Sequence, residues 1–382
     1  MMNREDKRID WVTMLIPFGL VVALMAVFMI WPEDSKTVID TMRGFFGDTI
    51  GIYYPLLAIG SVLVCLYVAL TPRYGNVRLG DAKRPEFSNF KWGTMIFTST
   101  MAADILFYSL IEWALYGGEQ HVADLGGIQM WAPTYTLFHW GPLAWGFYVV
   151  LAVCFAFMMH VRRRRRQRFS EACRPLLGRS VDGFWGRVID ITAIFAIVCA
   201  TATTFSLATP LLTEAMGSVF GFTPTTAVTI LVLLLICAVY TITVLFGLTG
   251  ISKLAGICSY LFFALLLYFL FLGGEPRYIV ETGFQSLGNM AQNFIGMSTY
   301  MDPLRENGFA QNWTVYYWAY WLVWSVATPF FIALISRGRT LRNVVWGSFG
   351  WGLAGTYMSF IILGNYGLAQ QMKHGVDVIG FI

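Results

Sequence analysis

The segment Trp313–Trp324 reads WTVYYWAYWLVW and gathers Trp313, Tyr316, Tyr317, Trp318, Tyr320, Trp321 and Trp324 without an intervening charge. Ring faces at that density attract a cation that cannot donate hydrogen bonds, such as a quaternary ammonium ion. On a helix, residues three, four and seven apart share a face, which aligns Trp313, Tyr317, Trp321 and Trp324 in one aromatic stripe. The plainer explanation is an interfacial belt of Trp and Tyr, but belts sit at helix ends. Trp324 lies about 16 Å beyond Trp313 at 1.5 Å per residue, deeper than a belt reaches. Core packing between helices is the remaining alternative for the same residues.

A second aromatic cluster surrounds Phe138-His139-Trp140-Gly141-Pro142, continuing to Trp145 and Tyr148. Pro142 removes a backbone donor and Gly141 weakens a helix, and such irregularity at membrane depth is tolerated beside protein or a cavity. Trp140, Trp145 and Tyr148 are therefore candidates to close a cage with the first stripe. His139 invites a proton relay, although a histidine hydrogen-bonded to a neighbouring helix is the better expectation. Asp104 falls near the middle of an apolar segment, where a carboxylate costs several kcal/mol, on the order of 3, unless paired, hydrated or protonated. A proton-coupling acid and a structural carboxylate bonded to a hydroxyl both fit that position, and Ala102 and Ala103 beside it permit close helix approach. Glu112, nearer the outer end, reads as structural. Thr201, Thr203, Thr204, Ser206 and Thr209 suit interhelical hydrogen bonding better than a sodium site. No phosphate loop, metal-spaced cluster or nucleophile–base arrangement is present, so neither an enzyme nor a cofactor is expected.

These residues need a membrane scaffold to hold them. The chain of 382 residues is 57% hydrophobic and 13% charged, with a mean hydropathy of +0.61. Soluble domains carry roughly 25% charge. Runs of about 20 apolar residues match a hydrocarbon core, and nine occur, near 10–31, 52–71, 92–116, 132–159, 187–212, 224–247, 254–273, 313–336 and 343–365. The expected fold class is an all-α membrane protein. The first apolar run is too long, and too closely followed by others, for a cleaved signal peptide. Six cysteines without a CxxC pair read as core residues. Arg73, Arg78, Lys83 and Arg84 crowd one loop, Arg162–Arg166 and Arg168 a second, and Arg337, Arg339 and Arg342 a third. The positive-inside rule places these loops and the N-terminus in the cytoplasm. The arginine run is expected to meet anionic lipid rather than nucleic acid.

Two connections stand out. Residues 161–186 form a basic loop, and 274–312 form a long external segment whose 276–300 portion is expected as an amphipathic helix lying on the membrane or on a neighbouring subunit. The ending VDVIGFI is apolar and uncapped, as a truncated chain would be. Spans 92–116 and 313–336, both interrupted by polar or aromatic residues, are candidates for matching first helices of two repeats.

Together these residues resemble the betaine/choline/carnitine transporter family. The family's tryptophan signature is similar to Trp313-Thr-Val-Tyr-Tyr-Trp-Ala-Tyr-Trp321, and Pro85-Glu-Phe-Ser88, Phe138-His-Trp-Gly-Pro142 and Ile335-Ser-Arg-Gly-Arg-Thr340 are further family-like blocks. The resemblance runs from about residue 10 to 365. Leu207-Ala-Thr-Pro-Leu-Leu-Thr-Glu214 and the Phe-His-Trp-Gly-Pro block look closest to the carnitine/γ-butyrobetaine antiporter branch. The resemblance implies a LeuT-type inverted-repeat fold with nine of twelve transmembrane helices present, assembled as a homotrimer in the bacterial inner membrane. In that plan 1–91 holds two helices outside the core, 92–273 the first five-helix repeat, 274–312 the external segment and 313–382 the start of the second repeat.

By the same resemblance, an onium zwitterion would sit among Trp140, Trp145, Tyr148, Tyr320, Trp321 and Trp324, with Tyr317 and Trp318 as neighbours. Tyr320 stands where the family has tryptophan, which points to a different head group or smaller cation. Sodium-coupled members carry GxGxG where this chain has Thr100, Ala102 and Asp104, and proton-coupled choline-type members carry an aspartate at the last position. That favours Asp104 as a proton-coupling residue. Thr328 replaces a coordinating methionine of the antiporter branch, as an ion ligand or as neutral packing. Ion-free exchange, and a membrane binding protein that no longer transports, are the alternatives.

Overall fold

The computed structural model describes residues 10–99, 103–164 and 166–382. Thr100 and Ala102 of the glycine-replacing set, and Arg165 of the arginine run, lie outside them. Among the described residues there is no β-strand, only an isolated antiparallel bridge between Arg78 and Thr340. Helix predominates because a chain in hydrocarbon must satisfy its backbone polar groups internally.

Six helices among the described residues are long and apolar enough to cross a membrane: Trp11–Ile30, Tyr53–Leu70, Ile128–Val161, Phe184–Phe220, Thr226–Leu245 and Lys253–Leu272. Ala310–Trp324 and Ala327–Ile335, bent by 53° at their junction, make a seventh if taken as one span. The expected count of nine is not reproduced by this measure. In segment 92–116 the described residues form helices Asn89–Thr98 and Ala103–Leu115, each too short to count by itself. Segment 343–365 is helical as Leu341–Ser359 and a π turn Phe360–Gly364, but Gly347, Ser348, Gly350, Gly352, Gly355 and Thr356 dilute its apolar character.

The chain forms two compact units, each assembled from several segments. The first takes in residues up to Trp92, then Gly146–Ala202 and Gln311–Ser348. Here the basic stretches around Arg78 and Arg339 meet. The amide of Leu79 donates to the Arg339 carbonyl at 2.8 Å, that of Gly338 to Leu79 at 2.7 Å, and that of Leu341 to Val77 at 3.0 Å. Gly338 has φ +82°, and a Cβ there would stand 2.5 Å from the Arg84 carbonyl oxygen, so both conformation and space demand glycine. Arg339 is 4% exposed. Its guanidinium donates to Asn89 Oδ1 at 2.8 Å and to the Phe87 and Ser88 carbonyls at 2.9 and 3.2 Å, and it lies 4.0 Å from the centroid of Trp92. Two of the motifs that carried the resemblance, Pro85–Ser88 and Ile335–Thr340, are thus the two halves of one clasp.

The second unit comprises Gly93–Trp145, Thr203–Ala310 and Phe349–Ile382. Helix Pro276–Thr299 buries Ile279, Thr282, Gly283, Ser286, Met290 and Met297 on one face, and it packs against Ile128–His139 and the Phe360–Gly364 turn within this unit. Val280, Phe284 and Ile295 lie exposed on the same helix. Glu275 precedes its first turn, bonded to Lys373 Nζ and, at 2.8 Å, to His374 Nε2. The Lys373 bond first, and then that of His374, hold the Glu275 carboxyl below the ordinary value of 4.5. A depressed carboxyl contributes stability that is complete above its unfolded pKa and is lost as pH falls through its folded one. Thermal melts of wild type and Glu275→Gln are therefore expected to differ most near neutrality and to converge below about pH 4, near and under the ordinary carboxyl range. A difference that persists unchanged into acid would contradict this.

Candidate functional site

In the first unit the aromatic run occupies helix Tyr316–Trp324, which follows a π turn, Ala310–Val315. A π turn bonds i to i+5, so the α-helical spacing used to place Trp313 in one stripe with Tyr317, Trp321 and Trp324 does not run unbroken through it. Burial is accordingly spread around the helix: Tyr317, Trp318, Tyr320 and Trp321 are all buried, while Trp313 and Trp324 are half-buried. Trp321 meets Tyr148 with ring centroids 4.7 Å apart and planes at 57°. Trp318 meets Phe147 edge-on at 6.3 Å, and Tyr320 stacks on Tyr316 at 6.2 Å.

The helix ends beneath Trp324 at Ser325, and the chain bends by 53° before Ala327–Ile335 begins. Thr328 sits half-buried in the first turn of that second helix. Trp324 Nε1 is buried without a hydrogen-bond partner among the described residues. Trp324 and Thr328 thus flank a broken span, the kind of irregularity that membrane helices tolerate where protein or a cavity covers it. Tilted rings with centroids under 5 Å offer a cation two faces at once.

Trp140 and Trp145 belong to the second unit, whose boundary falls between Trp145 and Gly146. Helix Ile128–His139 stops at Trp140, whose φ of −106° is not helical, and Pro142–Ala156 starts just after, which fits the expected break at Gly141-Pro142. The Trp140 ring lies 5.6 Å from Tyr108 and 5.0 Å from Phe360. Trp145 presses on Gly352, where a Cβ would approach its indole to 2.4 Å.

Asp104 is 6% exposed. It stands in helix Ala103–Leu115, next to residues 100–102, which lie outside the described ones.

Glu112, read from sequence as structural, is a hub. Fully buried, it accepts from Trp140 Nε1 at 2.5 Å and from the Tyr116 hydroxyl at 2.6 Å. His139, also fully buried, places Nδ1 2.7 Å from the same hydroxyl. The expected neighbour-bonded histidine is therefore found, with a tyrosine from the turn after Ala103–Leu115 as partner. Only the membrane-depth Glu–His spacing on two different segments could have hinted at this, and nothing in sequence pairs them. In the threonine-rich stretch Thr201 donates to Ile197 O at 2.8 Å and Ser206 to Thr203 O at 2.8 Å, bonds within their own helix.

Comparison with known proteins bears on the family. The family model described as betaine/carnitine/choline family transporter (BCCT) matches residues 12–382. The glycine betaine transporter OpuD of Bacillus subtilis (strain 168) is similar, at 30% identity over 377 residues that cover 94% of this chain and 72% of that protein.

Proposed function

The chain belongs to the betaine/carnitine/choline transporter family, and from that premise we propose that it moves a betaine-like onium zwitterion across a membrane by alternating access, coupled to protons through Asp104. The family makes it a multi-pass membrane transporter and not an enzyme. The observation that carries the finer reading is the buried Tyr148–Trp321 pair at a broken span, with Trp324 and Thr328 alongside. An onium head group has no N–H to donate, so tilted π faces attract it while ordinary hydrogen-bonding competitors gain less. In the second unit Trp140 and Trp145 offer further aromatic faces. The similar OpuD is a glycine betaine transporter, which makes glycine betaine the first substrate to test. The same reading carries a LeuT-type inverted-repeat core, a homotrimer and a cytoplasmic N-terminus in a bacterial inner membrane.

Coupling through Asp104 requires its protonated and ionised forms to favour different conformations. Burial at 6% exposure makes a charge on Asp104 costly, which suits a group that must change state during a cycle. Uptake of labelled glycine betaine by proteoliposomes is expected to rise with an imposed proton gradient. Asp104→Asn is expected to bind substrate within about threefold of wild type, a difference under 1 kcal/mol, and to lose the gradient response. Equal gradient-driven uptake by both proteins would sink the coupling assignment, and gradient-independent exchange by both would replace it with antiport.

A further inference from the structure

The Glu112 hub holds a carboxyl, a phenol, an imidazole and an indole with both ionisable ends fully buried. The hydroxyl of Tyr116 bridges the other two titratable groups. Tyr116 has one hydroxyl proton, shared between Glu112 Oε1 at 2.6 Å and His139 Nδ1 at 2.7 Å. If that proton points to Glu112, the carboxyl is ionised and His139 must carry its proton on Nδ1, donating to the tyrosine oxygen. If it points to His139, Nδ1 is bare and Glu112 must be protonated and donate to the tyrosine oxygen. Two complementary arrangements therefore exist, and the one with ionised Glu112 and neutral His139 can take up one proton from water.

Other titratable groups face the cluster. Tyr108 and Asp104 share its helix, Tyr135 lies 5.6 Å from the His139 ring, and His121 Nε2 meets the Tyr135 hydroxyl at 2.7 Å. Helix Ala103–Leu115, the Tyr116–Gly118 turn, helix Ile128–His139 and the Phe360–Gly364 turn contain neither lysine nor arginine, whereas helices packed on them carry Lys373 and His374 (Asn365–His374), Arg277 and Glu281 (Pro276–Thr299) and His121 and Asp124 (Gln120–Asp124). His139 is thus the basic group that these four elements supply, with Nδ1 3.8 Å from Glu112 Oε1.

Trp140 hangs on the other carboxylate oxygen. An N–H bonded to an ionised acceptor is roughly twice as strong as one bonded to a neutral carbonyl oxygen. An anion at the indole N–H also pushes electron density toward the ring, which strengthens its face as a cation partner. We propose that Glu112, Tyr116 and His139 form a buried proton-binding site that sets how Trp140 presents its indole, so that a proton taken up by the cluster weakens onium binding. The ligand half of this rests on the functional reading above, since it takes Trp140 as one of the rings that meet the onium. Glu112 acts as a positioning residue through Trp140.

The full chain in detergent is titrated between about pH 8 and pH 5, the range to which burial can raise a carboxyl, and tryptophan emission is followed without ligand. The wild type is expected to show a reversible change that is absent from both Trp140→Phe and Glu112→Gln. Glu112→Asp is expected to retain the change with a displaced midpoint. Calorimetric titration with glycine betaine is expected to give a Kd that rises about tenfold through the same transition, as a change of one charged hydrogen bond implies. Glu112→Gln is expected to hold the weaker value at every pH. An undiminished emission change in Glu112→Gln overturns the proton site. An emission change without any pH effect on Kd overturns its link to the ligand. Emission behaving as expected while no onium binds the wild type overturns the functional reading and leaves the proton site standing. If Glu112→Gln does not fold, Tyr116→Phe removes the bridging hydroxyl while leaving the bond to Trp140, and an unmoved midpoint in that variant overturns the proposal.

Discussion

Trp321→Ala is expected to weaken glycine betaine binding by about thirtyfold, while Trp321→Phe loses a few-fold at most. A desolvated cation–π contact is worth about 2 kcal/mol, and each 1.4 kcal/mol is tenfold. Trp321 is 4% exposed and lies against Tyr148, so its ring is held in place before any ligand arrives and little ordering entropy is spent on binding. Phenylalanine keeps a π face in nearly the same position, which separates loss of cation attraction from loss of the N–H. Because truncation also leaves a cavity, each variant is melted alongside its calorimetric titration, and only variants that fold are compared. Wild-type affinity in a folded Trp321→Ala protein would move the cation away from the Tyr148–Trp321 pair.

Arg339→Ala is expected to destabilise the first unit by about 3–5 kcal/mol, with a fall in melting temperature on the order of 10 °C. The side chain supports Asn89 and two loop carbonyls and covers the Trp92 ring, and its removal leaves those acceptors facing a void. Burial pulls its pKa below the usual arginine value, so the oxygen acceptors and the ring face are what make a charge acceptable there. Lysine is expected to rescue less than half of the loss, because a single ammonium cannot reproduce the planar fork that spans Asn89 and the carbonyls. Limited proteolysis supplies the local readout: cleavage within 77–88 is expected to accelerate in both variants. A melt within about 1 kcal/mol of wild type, the size of a surface substitution, would show that the clasp is held by its backbone hydrogen bonds alone.

The two sets of residues were legible to different degrees. The aromatic run declared itself because composition survives any error of register: Tyr317, Trp318, Tyr320 and Trp321 are buried even though the π turn before Tyr316 breaks the stripe that simple spacing draws through Trp313. The Gly141-Pro142 break was legible for a similar reason, since a missing donor acts locally. The clasp was half visible. Both of its motifs could be quoted from the chain, but nothing in either says that Arg339 lies on Trp92, some 250 residues earlier in sequence.

What the sequence determined by itself was class and family: apolar length enforces membrane helices, and the quoted motifs carry the family match. Tertiary structure alone decided which groups act on one another. Folding Ala103–Leu115 against Ile128–His139 joined Glu112 to Trp140 and His139. Helical propensity and hydropathy depend on neighbours a few residues away, so the sequence carries them openly. Hydrogen bonds at 2.5 and 2.7 Å between separate segments depend on how those segments pack, and packing is a property of the whole chain.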